Sequence, residues 1–276
     1  MDKLLFGTAG IPISTPSRST ENGIRHVREL GLDAMELEFV HSVNISKEKA
    51  HSVSQAKEQH GIALTCHGQY YINLNAKEDA KIKASQQRII NAAGIANLCG
   101  AYSVTFHPAF YQGMDKRKVY MTVKKALAEV VEKVRQENNK IWIRPETTGK
   151  PAQFGDLHEL LALSQELEQV MPCIDFSHLH ARSNGKLNTE AEFSQILGDV
   201  EKALGKKALR EMHMHLAGIA YSEKGEKNHL ILKESDFNYK ALLKTLKNFN
   251  AKGILICESP NIEGDAKMLK QTYEAL

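Results

Sequence analysis

The sequence predicts a closed (β/α)8 barrel, the TIM-barrel architecture, and three observations carry that expectation. Eight short apolar runs alternate with helix-like segments along the chain. The connections before the runs are short, whereas those after them are longer. Six of the runs end in a side chain able to bind a metal: His67, His107, Glu146, Asp175, His215 and Glu258. In a parallel barrel such strand ends converge on one mouth.

The elements follow in order. The first strand reads Leu4 to Ala9, and a turn containing Gly10, Pro12 and Pro16 leads to a helix that opens near Ser19 or Thr20 and stops at Gly31. Asp33 to Phe39 alternates so that Glu36 and Glu38 point inward. Ser46 caps a helix ending at Gly61. Ile62 to His67 is the third strand, followed by a loop with Tyr70 and Tyr71 and a long helix ending near Gly100. Tyr102 to His107 is the fourth strand, with a helix from Asp115 to Asn138. Ile141 to Glu146 is the fifth, and a helix from Asp156 leads to the sixth, Val170 to Asp175. A helix over Thr189 to Leu204 precedes the seventh strand, Leu209 to His215. A helix over Asn238 to Lys247 precedes the eighth, Gly253 to Glu258, and a last helix covers Asp265 to Leu276. Leu216 to Phe237 is the longest upper loop and a candidate lid or binding loop.

The same alternation places Trp142 and Arg144 in the lumen on Glu146's face. A buried guanidinium must be paired, so Arg144 is expected to bond Glu36, Glu38 or Glu211.

At 276 residues the chain matches the ordinary length of one such barrel. Residues 1–276 are therefore expected to form a single catalytic domain. A net charge of +3 neither demands nor excludes nucleic acid. No run reaches the ~18 apolar residues of a membrane span, and the Met-Asp-Lys start lacks a signal-like apolar segment. The expectation is a cytoplasmic protein without membrane contact, a monomer. Cys66, Cys99, Cys173 and Cys257 contain no C-x-x-C pair and read as reduced core residues.

Carboxylates and imidazoles packed at one mouth repel or stay unpaired unless a cation sits among them, and a divalent metal meets that need. The mix of imidazole and carboxylate suits zinc, manganese or iron in a catalytic site better than a closed structural zinc. His178, three residues beyond Asp175, can turn back toward a neighbouring ion. His213, two residues below His215, reads as its supporting partner rather than as a ligand.

The strings HGQYYINL from His67, HPAF from His107, RPETTG around Glu146, DFSH from Asp175 and CESPN around Glu258 cover nearly the whole chain. In order and spacing they resemble the endonuclease IV family of apurinic/apyrimidinic endonucleases. The resemblance implies a barrel that binds up to three zinc ions and cleaves duplex DNA on the 5′ side of abasic sites. It implies that His67 and His107 hold one zinc with Glu146, which bridges to a second held by Asp175, His215 and Glu258. His178 and His229 would hold a third, with Glu226 as the nearby carboxylate. Glu146 and Glu258 would be catalytic, Glu258 orienting the attacking water. Tyr70 matches an aromatic that enters the DNA at the lesion, and Arg182, Lys186, Lys224 and Lys227 are candidate phosphate contacts.

The sequence departs from the family in three places. The family's Asp-x-His stands here as Glu226-Lys-Asn-His229, the first strand ends in Gly-Thr-Ala-Gly rather than in histidine, and the DNA-inserting arginine after the second strand is absent. Two other readings remain open, the first implied by similarity to the related xylose-isomerase-like barrels. Glu146, Asp175, His215 and Glu258 alone would serve a single-metal sugar isomerase or epimerase, which has no need of His67 and His107 as ligands. A barrel that binds damaged DNA or a phosphorylated ligand without cutting it is the other.

Overall fold

The computed structural model describes residues 1–276. Its centre is a ring of eight parallel strands: β1 (Leu4–Ala9), β2 (Ala34–Glu38), β3 (Ala63–His67), β4 (Ser103–Phe106), β5 (Trp142–Pro145), β6 (Cys173–Asp175), β7 (Met212–Leu216) and β8 (Gly253–Cys257). Continuous ladders run β5-β4-β3-β2-β1-β8-β7-β6. The two ends meet through single parallel bridges, Ile143 to Val170 and Glu146 to Cys173. The barrel is therefore closed between β5 and β6 by the motif that carries Glu146.

Nine helices surround it: α1 (Thr20–Glu29), α2 (Lys47–His60), α3 (Asp79–Leu98), α4 (Lys116–Gln136), α5 (Leu157–Glu166), α6 (Phe176–Arg182), α7 (Glu190–Leu204), α8 (Tyr239–Asn248) and α9 (Glu263–Ala275). Their starts follow from local chemistry. Ser19, Ser46, Asp115, Asp156 and Asn238 each accept a backbone N–H of the first turn, satisfying a donor the helix leaves open. Gly61 ends α2 in the left-handed conformation, which a side chain would strain.

Apolar residues on the outer strand faces, among them Leu64, Val104, Phe106 and Ile143, pack against Ile24, Val27, Ala92 and Val130 of the helices. This layer between strands and helices is the main core. The lumen is smaller and more polar. Ala34, Ile254 and Ile256 line it together with buried Glu36, Thr65, Ser103, Thr105, Arg144 and His213. Gly7 is required on β1, since a Cβ there would lie 2.5 Å from the Ala34 carbonyl of β2.

Two expectations are corrected. Arg144 is buried, but it pairs with main-chain carbonyls rather than a carboxylate: Nη1 donates to Pro172 O at 2.9 Å and Nη2 to Glu211 O at 2.5 Å. Glu211 does not point into the lumen, because Ala208–Arg210 form a 3-10 turn that delays β7 to Met212; its carboxylate lies 3.8 Å from Lys207. The segment after β7, the candidate lid or binding loop, has regular structure of its own. Gly218–Ser222 and Gly225–Leu230 pair as an antiparallel hairpin.

Candidate metal centre

The C-terminal strand ends place their side chains as alternation requires. His67 closes β3, His107 follows β4, Glu146 follows β5, Asp175 closes β6, His215 lies near the end of β7 and Glu258 follows β8. Glu146 is fully buried at the centre. Its Oε2 lies 3.3 Å from His67 Nε2 and its Oε1 3.3 Å from His107 Nε2. His215 Nδ1 lies 3.3 Å from Glu258 Oε1 and 3.5 Å from Glu146 Oε1.

Besides a group of Cys173, His213 and His215, the ligand atoms gather into three adjoining groups at the mouth: first His67, His107 and Glu146; then Glu146, Asp175, His215 and Glu258; then Asp175, His178 and His229. Glu146 belongs to the first two, and Asp175 to the last two. The hairpin delivers His229, and it carries Glu226 with Oε2 3.6 Å from His178 Nε2.

Hydrogen bonds set the ring tautomers. Nδ1 of His67 donates to Gly68 O at 2.7 Å, Nδ1 of His178 to Thr147 O at 2.9 Å and Nδ1 of His229 to Glu258 O at 3.3 Å. A carbonyl can only accept, so Nε2 is the nitrogen that each ring turns to a metal once its proton is displaced. Asp175 Oδ2, His215 Nδ1 and His229 Nε2 are buried without a hydrogen-bond partner, and all three belong to these groups. Orphaned buried polar atoms are costly. Oxygen and imidazole nitrogen donors, several to a group and backed by carbonyls, fit divalent ions of the zinc type.

The charges agree. Burial opposes ionisation of Glu146, but His215 and His107 hold its carboxyl well below the usual range. Burial likewise opposes a charge on His67, yet Glu146, Glu38 and Glu36 raise it to about 10. Burial followed by the repulsion of Glu146 and Asp175 pushes Glu258 up to about 8, against the pull of His215. The site is thus a concentration of negative charge balanced in the protein itself by imidazolium.

One residue and two arrangements escaped the sequence reading of the site. Thr147 Oγ1 accepts the Asp175 N–H at 2.8 Å and so locks β5 to β6; its only signal was its place directly after Glu146. Helix α6 begins at once after Asp175 and has seven residues, too short to show a helical pattern, yet it presents His178. Glu36 lies beneath the mouth, 3.0 Å from both His213 Nε2 and His215 Nε2.

The proposed substrate contacts are divided. Tyr70 and Tyr71 are 59% and 62% exposed at the mouth, and the Tyr70 ring stands edge-on to His67 at 6.0 Å. Lys186, Lys224 and Lys227 are exposed. Arg182 instead braces the loop after β5: its Nη1 donates to Thr148 Oγ1 at 3.1 Å, Lys150 O at 2.6 Å and Gln153 O at 3.0 Å. A cavity of about 320 Å³ beside β1 and β2 is lined by Gly10, Arg18, Glu36, Glu38 and Asn44 among others.

Residues 24–276 match the family model described as xylose isomerase-like TIM barrel. The chain belongs to that family. This xylose isomerase-like barrel is 44% identical over 273 residues to the uncharacterized protein MJ0133 of Methanocaldococcus jannaschii, covering 99% of this chain and 98% of that protein. Among solved structures it resembles a D-tagatose 3-epimerase-like protein, with a TM-score of 0.75 and 18% identity over 98% of this chain and 97% of the other. It also resembles endonuclease IV from Thermus thermophilus, with a TM-score of 0.73 and 16% identity over 99% and 100% of the two chains. At these identities the structural likenesses establish the barrel and leave the chemistry to the site.

Proposed function

We propose that this barrel is a multi-ion phosphodiesterase that cuts duplex DNA on the 5′ side of abasic sites. The observation that supports the reading is the continuity of the three ligand groups through Glu146 and Asp175. A one-ion enzyme needs only the group of Glu146, Asp175, His215 and Glu258. Here His67 and His107 turn ring nitrogens onto the same Glu146, and His178 and His229 onto the far side of Asp175.

Bound in these groups, zinc supplies Lewis-acid neutralisation of a phosphate and lowers the pKa of water toward neutrality. The chain contributes the rest. Glu146 holds the first two groups in one frame, and Glu258, partly exposed at the mouth, would orient the attacking water. Tyr70 and Tyr71 offer aromatic faces that fill the gap left by a missing base. Lys186, Lys224 and Lys227 take DNA phosphates on the rim.

A second reading has a specific observation in its favour. The group of Glu146, Asp175, His215 and Glu258 is complete as a one-ion site, which supports a sugar epimerase using zinc or manganese. One experiment separates the two. Zinc-loaded protein, chelator-treated protein and the Glu146→Gln variant are incubated with a duplex carrying one abasic site. Incision 5′ to the lesion by the loaded protein alone supports the nuclease. Folded, zinc-loaded protein that leaves the duplex intact and epimerises a ketose with manganese overturns it.

A further inference from the structure

His215 faces two surroundings with its two nitrogens. Nδ1 lies among the ligand atoms of Glu258 and Glu146, whereas Nε2 points down the lumen to Glu36 Oε1 at 3.0 Å. Glu36 is fully buried and reaches this point from β2, across an interior on which β1 and β8 separate it from β7. Its other oxygen, Oε2, lies 3.0 Å from Nε2 of His213. His213 in turn meets Ser103 Oγ at 3.0 Å through Nδ1, and the two Nε2 atoms are 3.2 Å apart.

Both Glu36 oxygens are buried without a hydrogen-bond partner, and the two Nε2 atoms stand against them at ion-pair distance. A carboxylate in so dry a place calls for donors close at hand, and the two imidazoles at 3.0 Å are placed to supply them. An imidazole that gives its Nε2 proton to a carboxylate keeps its lone pair on Nδ1.

We infer that Glu36 is a positioning residue: by taking the Nε2–H of His215 and bracing it with His213, it fixes the tautomer and ring orientation that present Nδ1 to a metal. This rests on the metal-centre reading. The role belongs to one ion, the one held with Glu146, Asp175 and Glu258. The His67 and His107 group lies outside it, since neither ring touches Glu36 and the Gly68 carbonyl orients His67.

The test compares wild type with Glu36→Met, which keeps the chain length and removes both acceptors, and with Glu36→Gln, which keeps one. Zinc is titrated against a chromogenic chelator, and the ring N–H resonances of zinc-loaded, ¹⁵N-histidine protein are recorded. In Glu36→Met one ion is expected to weaken about ten- to a hundredfold, as for other partners of metal-bound histidine, while the remaining ions keep their affinity. The slowly exchanging Nε2–H signal of His215 disappears in that variant. Glu36→Gln falls between the two, and decides alone if the methionine variant does not fold. Unchanged affinity with the signal retained overturns the inference, as does equal weakening of every ion, which marks a merely structural residue. A thiolate band in cobalt-substituted wild type also overturns it, because Cys173 lies with His213 and His215 in a ligand group that leaves Glu36 out. Wild type that binds no zinc defeats the metal reading separately from this one.

Discussion

Asp175 and His178 are joined by a bond that serves the fold and the site together: Asp175 Oδ1 accepts the backbone N–H of His178 at 2.7 Å. The same carboxylate caps α6 and turns its free oxygen, Oδ2, to the ligand groups. Cap and ligand are separable by mutation. Asp175→Asn keeps a capping oxygen and loses the ligand charge, whereas Asp175→Ala loses both. Zinc stoichiometry is expected to fall in both variants, with metal-free Asp175→Ala less stable than metal-free Asp175→Asn by about 1 kcal/mol in urea unfolding. Equal stability would separate the cap from the fold.

The metal-free protein should lose stability as pH rises. His67 has its folded pKa raised from 6.5 to about 10, so its contribution is complete below pH 6.5 and disappears as pH climbs through 10. Glu258, raised from 4.5 to about 8, acts in the same direction over its own lower window. Zinc competes with these protons, so its affinity grows over the same range. Melting curves of chelated and zinc-loaded protein from about pH 6 to 9 should diverge, with zinc worth roughly 4 kcal/mol at a thousandfold excess over its Kd. Parallel curves would contradict the assignment.

Tyr70 is exposed beside His67 and packs little core. Tyr70→Ala should leave the melting temperature unchanged and weaken binding to an abasic duplex by about 1–3 kcal/mol, read by fluorescence anisotropy. The loss should be smaller on intact duplex.

Arg144 gives the opposite pattern. Arg144→Met leaves the buried Pro172 carbonyl without its donor and should cost roughly 1–3 kcal/mol of stability. Zinc stoichiometry should stay at the wild-type value. A loss of zinc would mean that the lower lumen and the mouth are mechanically coupled.

Much of this was legible before any coordinates. β1 spans Leu4–Ala9 as its pattern predicts, and five strand-end ligands close or directly follow their strands because period-two alternation and turn chemistry are local. His215 is the exception in register: β7 continues one residue past it, and starts late because Ala208–Arg210 curl into a 3-10 turn. The hairpin after it was not legible, since GEKNHL is polar and its pairing is set by Gly225 in a conformation at φ +90° that its neighbours do not announce. Arg144's partners are carbonyls, which have no identity in a sequence. Glu36 was seen to point inward, but only the closed ring reveals that its carboxylate meets two histidines from β7.

The hairpin has one further consequence. Its strands pair only with each other, and it is pinned to the rest by contacts such as the Glu226 N–H to the Gly149 carbonyl at 3.0 Å. Glu226 and His229 therefore ride on an insert outside the ring that folds the chain. Heritable change can rewrite that ribbon, adding or discarding a ligand, without disturbing the ladder beneath it. A frame shared with epimerases and a nuclease alike is thereby free to diversify at its rim.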